Sequence, residues 1–245
     1  MKFFMITLAG IIGSGKSSLT QILAQELGSV PFFEPVDDNP VLPLFYKGNE
    51  ISAKKRKAGI KDATNPYAYL LQTFFLNRRF MMMKQAMKQP NNILDRSIYE
   101  DAMFMKMNTD IGNATAIEYA TYQELFGHML EELEAATPEK NNDLMVLIKV
   151  SYDTMIKRIQ KRGRKYEQIS TDPSLIDYYK RLLSYYEDFE KNYELSQILV
   201  IDGDKYDFVE NKEDRDHVLN MIEDRLVKLG NLSAIQAEHL RKKRQ

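Results

Sequence analysis

The chain has 245 residues, 44% hydrophobic and 28% charged, with a formal net charge of −1. Such a length and composition suit one globular α/β domain with a sizeable core, and the near-zero charge excludes a global basic field for nucleic acid or membrane. The absence of cysteine excludes a disulfide scaffold, a cysteine-rich zinc site and thiol catalysis, and fits a cytoplasmic location; no apolar run is long enough to span a bilayer.

Phe3 to Leu8 is an apolar run that predicts a buried strand, and Lys16 to Leu27 carries Leu19, Ile22, Leu23 and Leu27 at helical spacing. Between them stand Gly10, Ile11, Ile12, Gly13, Ser14, Gly15, Lys16 and Ser17, followed by Ser18. This is the G-x-x-x-x-G-K-S pattern of a phosphate-binding loop. Its glycines let the backbone turn its N–H groups toward one phosphate, and the following helix adds the positive end of its dipole. Lys16 is expected at the β- and γ-phosphates of ATP and the Ser17 hydroxyl at Mg²⁺.

Val30 to Val36 reads as a second strand ending at Glu34-Pro35, and Asp37 to Asn39 as a turn. Pro40 to Tyr46 is expected as a short helix. Ile51 to Thr64 is lysine-rich and weakly patterned, and reads as a solvated basic insert. Asn65 to Lys88 predicts a long helix capped by Asn65, with Pro66 in its first turn. Asn92 to Asp95 is the third strand, followed by helices from Ile98 to Asn108 and from Ala116 to Ala135. Leu144 to Val150 and Ile198 to Asp202 are the fourth and fifth strands. Helices are expected over Tyr152 to Arg162, Pro173 to Tyr193 and Asp214 to Leu229, with a frayed basic tail from Arg241 to Gln245. Five strands alternating with helices predict an α/β fold, a five-stranded parallel sheet with helices on both faces. Ligands of such sheets sit at the carboxyl ends of the strands.

Several residues at those ends carry chemistry. Glu34 beside a γ-phosphate could accept a proton from an attacking hydroxyl; the alternative is a cap or a surface salt bridge. Asp95 ends an apolar run, as the second acidic ligand of Mg²⁺ does in phosphate-loop enzymes, and Arg96 could pair with Glu34. Arg158, Arg162 and Arg164 either neutralise a transferred phosphoryl group or belong to a solvated helix face with Lys157 and Lys161. Gln72 and Arg79, seven residues apart, share one helix face, and an Arg79–Asp101 pair would offer donors and acceptors suited to a purine edge. Asn211-Lys212-Glu213-Asp214 imitates a guanine-reading motif but lies well past the fifth strand, and reads as a loop and helix cap.

Together these pieces resemble the deoxynucleoside kinase family, from Met5 to about Leu229. The resemblance rests on Gly10 to Ser17, Phe33-Glu34-Pro35-Val36, Leu71-Gln72-Thr73, Asp95 to Asp101, and Arg162-Gly163-Arg164 with Glu167. Val36 to Tyr46 is especially similar to the bacterial deoxyadenosine and deoxyguanosine kinases. The resemblance implies a kinase domain over residues 1–230, with the insert at 51–64 and a lid at 158–170, before a basic tail at 231–245. It implies Mg²⁺-dependent transfer of the γ-phosphate of ATP to a deoxynucleoside 5′-hydroxyl. Glu34 would be the base with Arg96 its partner, and Asp95 would hold Mg²⁺ with Ser17. Tyr46 and Glu167 would hold the 3′-hydroxyl, and Gln72, Arg79 and Asp101 would read the base. Arg158, Arg162 and Arg164 would form the lid, with Asp207 and Phe208 near the adenine of ATP. A homodimer through the two long helices is implied, a heterodimer with a related subunit being the alternative.

Two departures stand out. The insert is longer than the family's connector, which puts the place of Tyr46 in question. Met105 stands where relatives carry an aromatic ring on the base. The expected substrate is a purine deoxynucleoside, deoxyadenosine slightly ahead of deoxyguanosine and deoxycytidine weaker. The rival enzyme is a thymidylate-kinase-like monophosphate kinase, whose anionic acceptor Glu34 would repel. A non-catalytic phosphate-loop regulator would want a basic groove or an output domain, and the sequence offers neither.

Overall fold

The computed structural model describes residues 4–34, 36, 38–136 and 143–244. Phe3, Pro35, Asp37 and Gln245, which the sequence reading assigned to elements, lie outside that set. Strands β1 (Phe4–Gly10), β2 (Val30–Phe32), β3 (Asn91–Asp95), β4 (Leu144–Lys149) and β5 (Gln197–Asp202) form one sheet in the order β2-β3-β1-β4-β5. Every pairing is parallel, with Leu8 opposite Asp95 and Gly10 opposite Ile148. Side chains alternate between the faces of a strand. Phe4, Ile6 and Leu8 of β1 pack with α1 (Lys16–Leu27), α8 (Lys212–Lys228) and α9 (Ala234–Arg244). Met5 and Ala9 turn to the other face. That face is covered by α2 (Leu42–Lys57), α3 (Ala68–Ala86), α4 (Ile98–Asp110), α5 (Ala116–Ala136), α6 (Tyr152–Arg162) and α7 (Leu175–Asn192). Burial on both faces is why β1 and β4 read as unbroken apolar runs rather than alternating ones. No helix among the described residues is long and apolar enough to cross a membrane.

Four expectations need correction. The second strand ends at Phe32, so Glu34 stands beyond it in irregular backbone. The segment read as a short helix and a solvated insert is largely one helix, α2, sixteen residues long. Its buried face is Leu42, Phe45, Tyr46, Asn49 and Ser52, spaced three or four apart as an inward helix face requires. Two of those five are polar, which hid the pattern. The turn after α2 is held back on it by a Ser52 hydroxyl donating to the Ala63 carbonyl.

Asn65 does not cap α3, which begins only at Ala68; its side chain is buried instead. The basic tail is helix α9. It opens with a reciprocal pair in which the Ser233 N–H donates to Gln236 Oε1 (3.0 Å) and the Gln236 N–H to Ser233 Oγ (3.2 Å). Arg244 then pairs with the fully buried Glu223 and, at 2.6 Å, with Glu26 of α1; Arg241 meets Glu223 at 3.1 Å. The Asn211 motif is a helix cap as expected, its side chain accepting from the Glu213 (2.8 Å) and Asp214 (3.3 Å) N–H groups.

Candidate active site

The loop between β1 and α1 sits at the carboxyl end of the central strand. Gly10 has φ +145°, and a Cβ there would lie 2.6 Å from the Ile148 carbonyl of the neighbouring strand. Only glycine permits that close passage. Lys16 opens α1, is 7% exposed, and donates from Nζ to the Gly10 (2.8 Å) and Ile11 (3.1 Å) carbonyls. Burial lowers its pKa to about 8; Arg96 adds to that, and Asp95, Glu100 and Glu34 oppose it. The Ser17 hydroxyl donates to Asp95, the last residue of β3, whose register with Leu8 brings it beside the loop.

The β3–α4 turn carries Arg96, the one described non-glycine residue with positive φ (+76°). Such a conformation costs about 1–3 kcal/mol and needs surrounding contacts to hold it. The Arg96 N–H donates to the Leu8 carbonyl (2.9 Å). Its guanidinium meets Glu100 Oε1 at 2.8 Å, the Tyr186 hydroxyl at 2.5 Å and Glu34 at 3.3 Å, and lies over the Phe104 ring. Glu100 also accepts from the Gly10 N–H (3.3 Å) and the Ser97 N–H (3.4 Å), so it ties the phosphate loop to the β3–α4 turn.

Glu34 is gripped twice, by Arg96 and by Arg79 of α3, and Arg79 also pairs with Asp101 of α4. Burial alone would raise the Glu34 pKa. The cations of Arg96, Arg79 and Lys16 outweigh burial and hold it at about 2. The arrangement is therefore a fixed anion, aligned by two guanidinium groups, within reach of the phosphate-loop lysine's field.

A cavity of about 450 Å³ opens over these groups. Of the residues expected in a site, Ile12, Gly13, Lys16, Ser17, Glu34, Tyr46, Gln72, Arg79, Asp95, Arg96, Asp101, Arg162, Arg164 and Glu167 all line it. Tyr46, on α2, lines the cavity with its ring 5.2 Å from that of Tyr166, and Glu167 lines the cavity too. Glu167 pairs with Arg162 (2.5 Å) and Arg164 (3.7 Å).

The basic cluster divides. Arg158 bridges the Ser14 (2.9 Å) and Gly203 (2.8 Å) carbonyls, away from the cavity, and Lys161 pairs with exposed Glu210. Phe208 is buried beneath Gly15, 3.0 Å from where a Cβ would stand, and Asp207 accepts from the Glu210 N–H (3.2 Å). Ser18 is exposed on α1 outside the cavity. Met105 is buried away from the cavity, and Phe104, one residue earlier, lines it. Phe104 therefore supplies an aromatic side chain to the cavity, and Met105 does not.

Sequence reasoning assigned no role to Glu100, Tyr186, Phe75 or Phe104. Glu100 was signalled by the i,i+4 spacing to Arg96 and by Ser97-x-x-Glu100. Tyr186 arrives from α7, ninety residues away, and no local pattern announces it.

Among the described residues no cluster of three or more His, Asp or Glu side chains could cage a metal. Ser17 and Asp95 nonetheless offer two hard oxygen donors, and Asp95 Oδ1 is buried without a hydrogen-bond partner. That set fits Mg²⁺, which is usually held by one or two protein oxygens together with phosphates and water.

A family model described as deoxynucleoside kinase matches residues 6–228. A deoxyguanosine kinase of Lactobacillus acidophilus is 56% identical over 228 residues, which is 93% of this chain and 93% of that protein. A deoxyadenosine kinase of the same organism is 49% identical over 228 residues, 93% and 99% of the two chains. A solved deoxyadenosine kinase from M. mycoides with bound dATP superposes with a TM-score of 0.67 at 28% identity, covering 89% of this chain and 99% of that one. With the phosphate loop, the cavity and the parallel sheet in agreement, the chain belongs to the deoxynucleoside kinase family.

Proposed function

We propose that this chain transfers the γ-phosphate of ATP to the 5′-hydroxyl of a purine deoxynucleoside, using Mg²⁺. The observation that carries the reading is Glu34, an anion clamped between Arg79 and Arg96 in a cavity that reaches Lys16. A neutral hydroxyl is attracted to that carboxylate, whereas the phosphate of a monophosphate is repelled.

In this reading the base lies between Phe75 and Phe104, and Gln72, Arg79 and Asp101 meet its edge. The buried Gln72 Oε1 has no hydrogen-bond partner within the protein, which leaves an acceptor for an exocyclic amine. Tyr46 and Glu167 hold the sugar. Glu34, with its low pKa, orients the 5′-hydroxyl and takes its proton late, once the bond to phosphorus is forming. Lys16, Arg162 and Arg164 neutralise the phosphoryl oxygens as charge develops. Mg²⁺ held by Ser17 and Asp95 would supply further charge neutralisation at the phosphates.

The relatives favour placing deoxyguanosine ahead of deoxyadenosine, the reverse of the order expected from the sequence, because the more similar of the two named is a deoxyguanosine kinase. Incubation with ATP, Mg²⁺ and separate pools of deoxynucleosides and monophosphates tests the function. Product from the purine deoxynucleosides is expected; product from monophosphates alone overturns it. We also assign a homodimer interface to α3 and α5, which expose Leu70, Met81 and Ile117. Sedimentation of the pure chain tests it, a monomer that pairs only with a related subunit being the opposing outcome.

A further inference from the structure

We infer that four buried asparagines, Asn49, Asn65, Asn108 and Asn113, form a positioning device that fixes the spacing between two walls of the cavity. The inference rests on reading that cavity as the nucleoside site. None of the four is more than 9% exposed, and none has a buried side-chain nitrogen or oxygen left without a partner. They come from α2, the segment before α3, the end of α4 and the α4–α5 turn.

The bonds run as a chain from one wall to the other. Asn65 Nδ2 donates to the Phe45 carbonyl (2.9 Å) and to Asn49 Oδ1 (2.8 Å). Asn113 Nδ2 donates to the same Asn49 oxygen (3.0 Å) and to Asn108 Oδ1 (3.2 Å). Asn108 Nδ2 donates to the Phe104 carbonyl (2.9 Å). The two ends of the network are thus the backbone carbonyls of Phe45 and Phe104, and both of those rings line the cavity. Tyr46 follows Phe45 directly. At the outer edge, exposed Arg56 donates to Asn113 Oδ1 (2.8 Å), so the charged end of α2 closes the network.

Gly48 shows how closely the parts fit. A Cβ there would stand 2.0 Å from Asn65 Oδ1. A glycine inside a helix costs roughly 1 kcal/mol against alanine. Here it makes room for the asparagine. A fully satisfied buried polar network is rigid, because every move breaks a bond that water cannot replace. The walls carrying Phe45 and Tyr46 on one side and Phe104 on the other are therefore held at a set distance. That makes the asparagines positioning residues, acting through the aromatic walls.

The test is a double-mutant cycle between Asn65→Ala and Tyr46→Phe, with Arg56→Ala as a milder variant at the exposed end. Assays are run well below each variant's Tm. Asn65→Ala should raise the deoxynucleoside KM by about tenfold and leave the ATP KM within about twofold. Combined with Tyr46→Phe, the effects should be less than multiplicative, because both act on one wall. Arg56→Ala should shift the same KM in the same direction, by about two- to threefold. If Asn65→Ala does not fold, Arg56→Ala carries the test, and an unchanged deoxynucleoside KM overturns the inference. A lowered Tm with unchanged KM, or equal rises in both KM values, also overturns it. Should Tyr46→Phe shift the deoxynucleoside KM while the network variants do not, the site reading stands and the network is only structural. Unchanged KM in every variant overturns both.

Discussion

Arg79 and Arg96 reach the same carboxylate, that of Glu34, from two different elements of the fold. Arg79 comes from the middle of α3 and Arg96 from the β3–α4 turn. Each has a second anchor, Asp101 for Arg79 and Glu100 for Arg96. Neither guanidinium can shift without disturbing two carboxylates. The position of Glu34, which follows β2 in irregular backbone, is therefore set by residues distant in the sequence.

Replacing Glu34 by Gln keeps the shape and a hydrogen-bonding oxygen but removes the charge. Turnover should fall by about 10²-fold or more, with a smaller change in deoxynucleoside KM. Steady-state kinetics with rapid-quench single turnovers separates the two. Collapse of binding with unchanged turnover of bound substrate would make Glu34 a binding group only.

The Glu34 clamp also predicts acid sensitivity. Its folded pKa of about 2 lies below the ordinary value of 4.5. A carboxyl so shifted stabilises the fold fully above the unfolded pKa, and the contribution is lost as pH falls from about 4.5 through about 2. Glu34→Gln should flatten that limb of a stability–pH curve measured by denaturant unfolding. A parallel wild-type curve would assign the acid transition to other groups.

The proposed role of Lys16 predicts an alkaline limb in ATP use. Burial has brought its pKa to about 8, and only the ammonium form can neutralise phosphate. The value of kcat/KM for ATP should decline as pH rises through about 8. With ATP saturating, kcat should hold to higher pH, because bound phosphates favour the charged amine. A kcat/KM profile flat to pH 10 would sink this assignment.

Asp101 tests base reading more cleanly than Arg79 does. Arg79 also holds Glu34, so its loss would strike turnover and specificity together. Asp101→Asn leaves Arg79 in place but weakens the acceptor. Discrimination between purine and pyrimidine deoxynucleosides should narrow by about tenfold in competition assays. An unchanged ranking would leave the Arg79–Asp101 pair as a purely structural link between α3 and α4.

Arg244 offers a stability prediction remote from the chemistry. Breaking a buried ion pair by removing one partner costs about 3–5 kcal/mol, and the retained Arg241 contact reduces this to about 2 kcal/mol. Arg244→Ala should lower Tm by about 4–8 °C with kcat unchanged. Thermal unfolding followed by circular dichroism measures it, and an unshifted Tm would make α9 a passive appendage.

Much of this was legible in the sequence because it is written locally. The phosphate loop and the buried strands are contiguous runs whose pattern follows from backbone geometry. The convergence of Glu34, Asp95 and Arg96 on one cavity followed from the rule that parallel sheets bind ligands at their strand ends, whereas Gln72, Arg79 and Asp101 were expected there from the resemblance to the kinase family. Three of the four misreadings share a cause. Asn49, Ser52 and Asn65 are polar yet buried, so apolar periodicity missed α2's inner face and mistook Asn65 for a cap. Arg241 and Arg244 read as solvated charge because their partner, Glu223, lies on another helix. Long-range polar pairing has no period for a sequence to display.

The strand order β2-β3-β1-β4-β5 has a consequence for how base preference passes between genes. Most of the proposed nucleoside contacts, Glu34, Tyr46, Gln72, Arg79 and Asp101, fall between β2 and the end of α4, on one side of the central strand. The residues that brace the phosphate loop from the other side, Arg158 and Phe208, come after β4. The proposed base contacts, Gln72, Arg79 and Asp101, thus lie in one uninterrupted stretch of coding sequence. A single crossover after α5 between two relatives would exchange it nearly whole while keeping the far-side braces of the phosphate loop together. For a pair of kinases that share an ancestor, the proposed base contacts would change hands in one recombination rather than by many scattered substitutions.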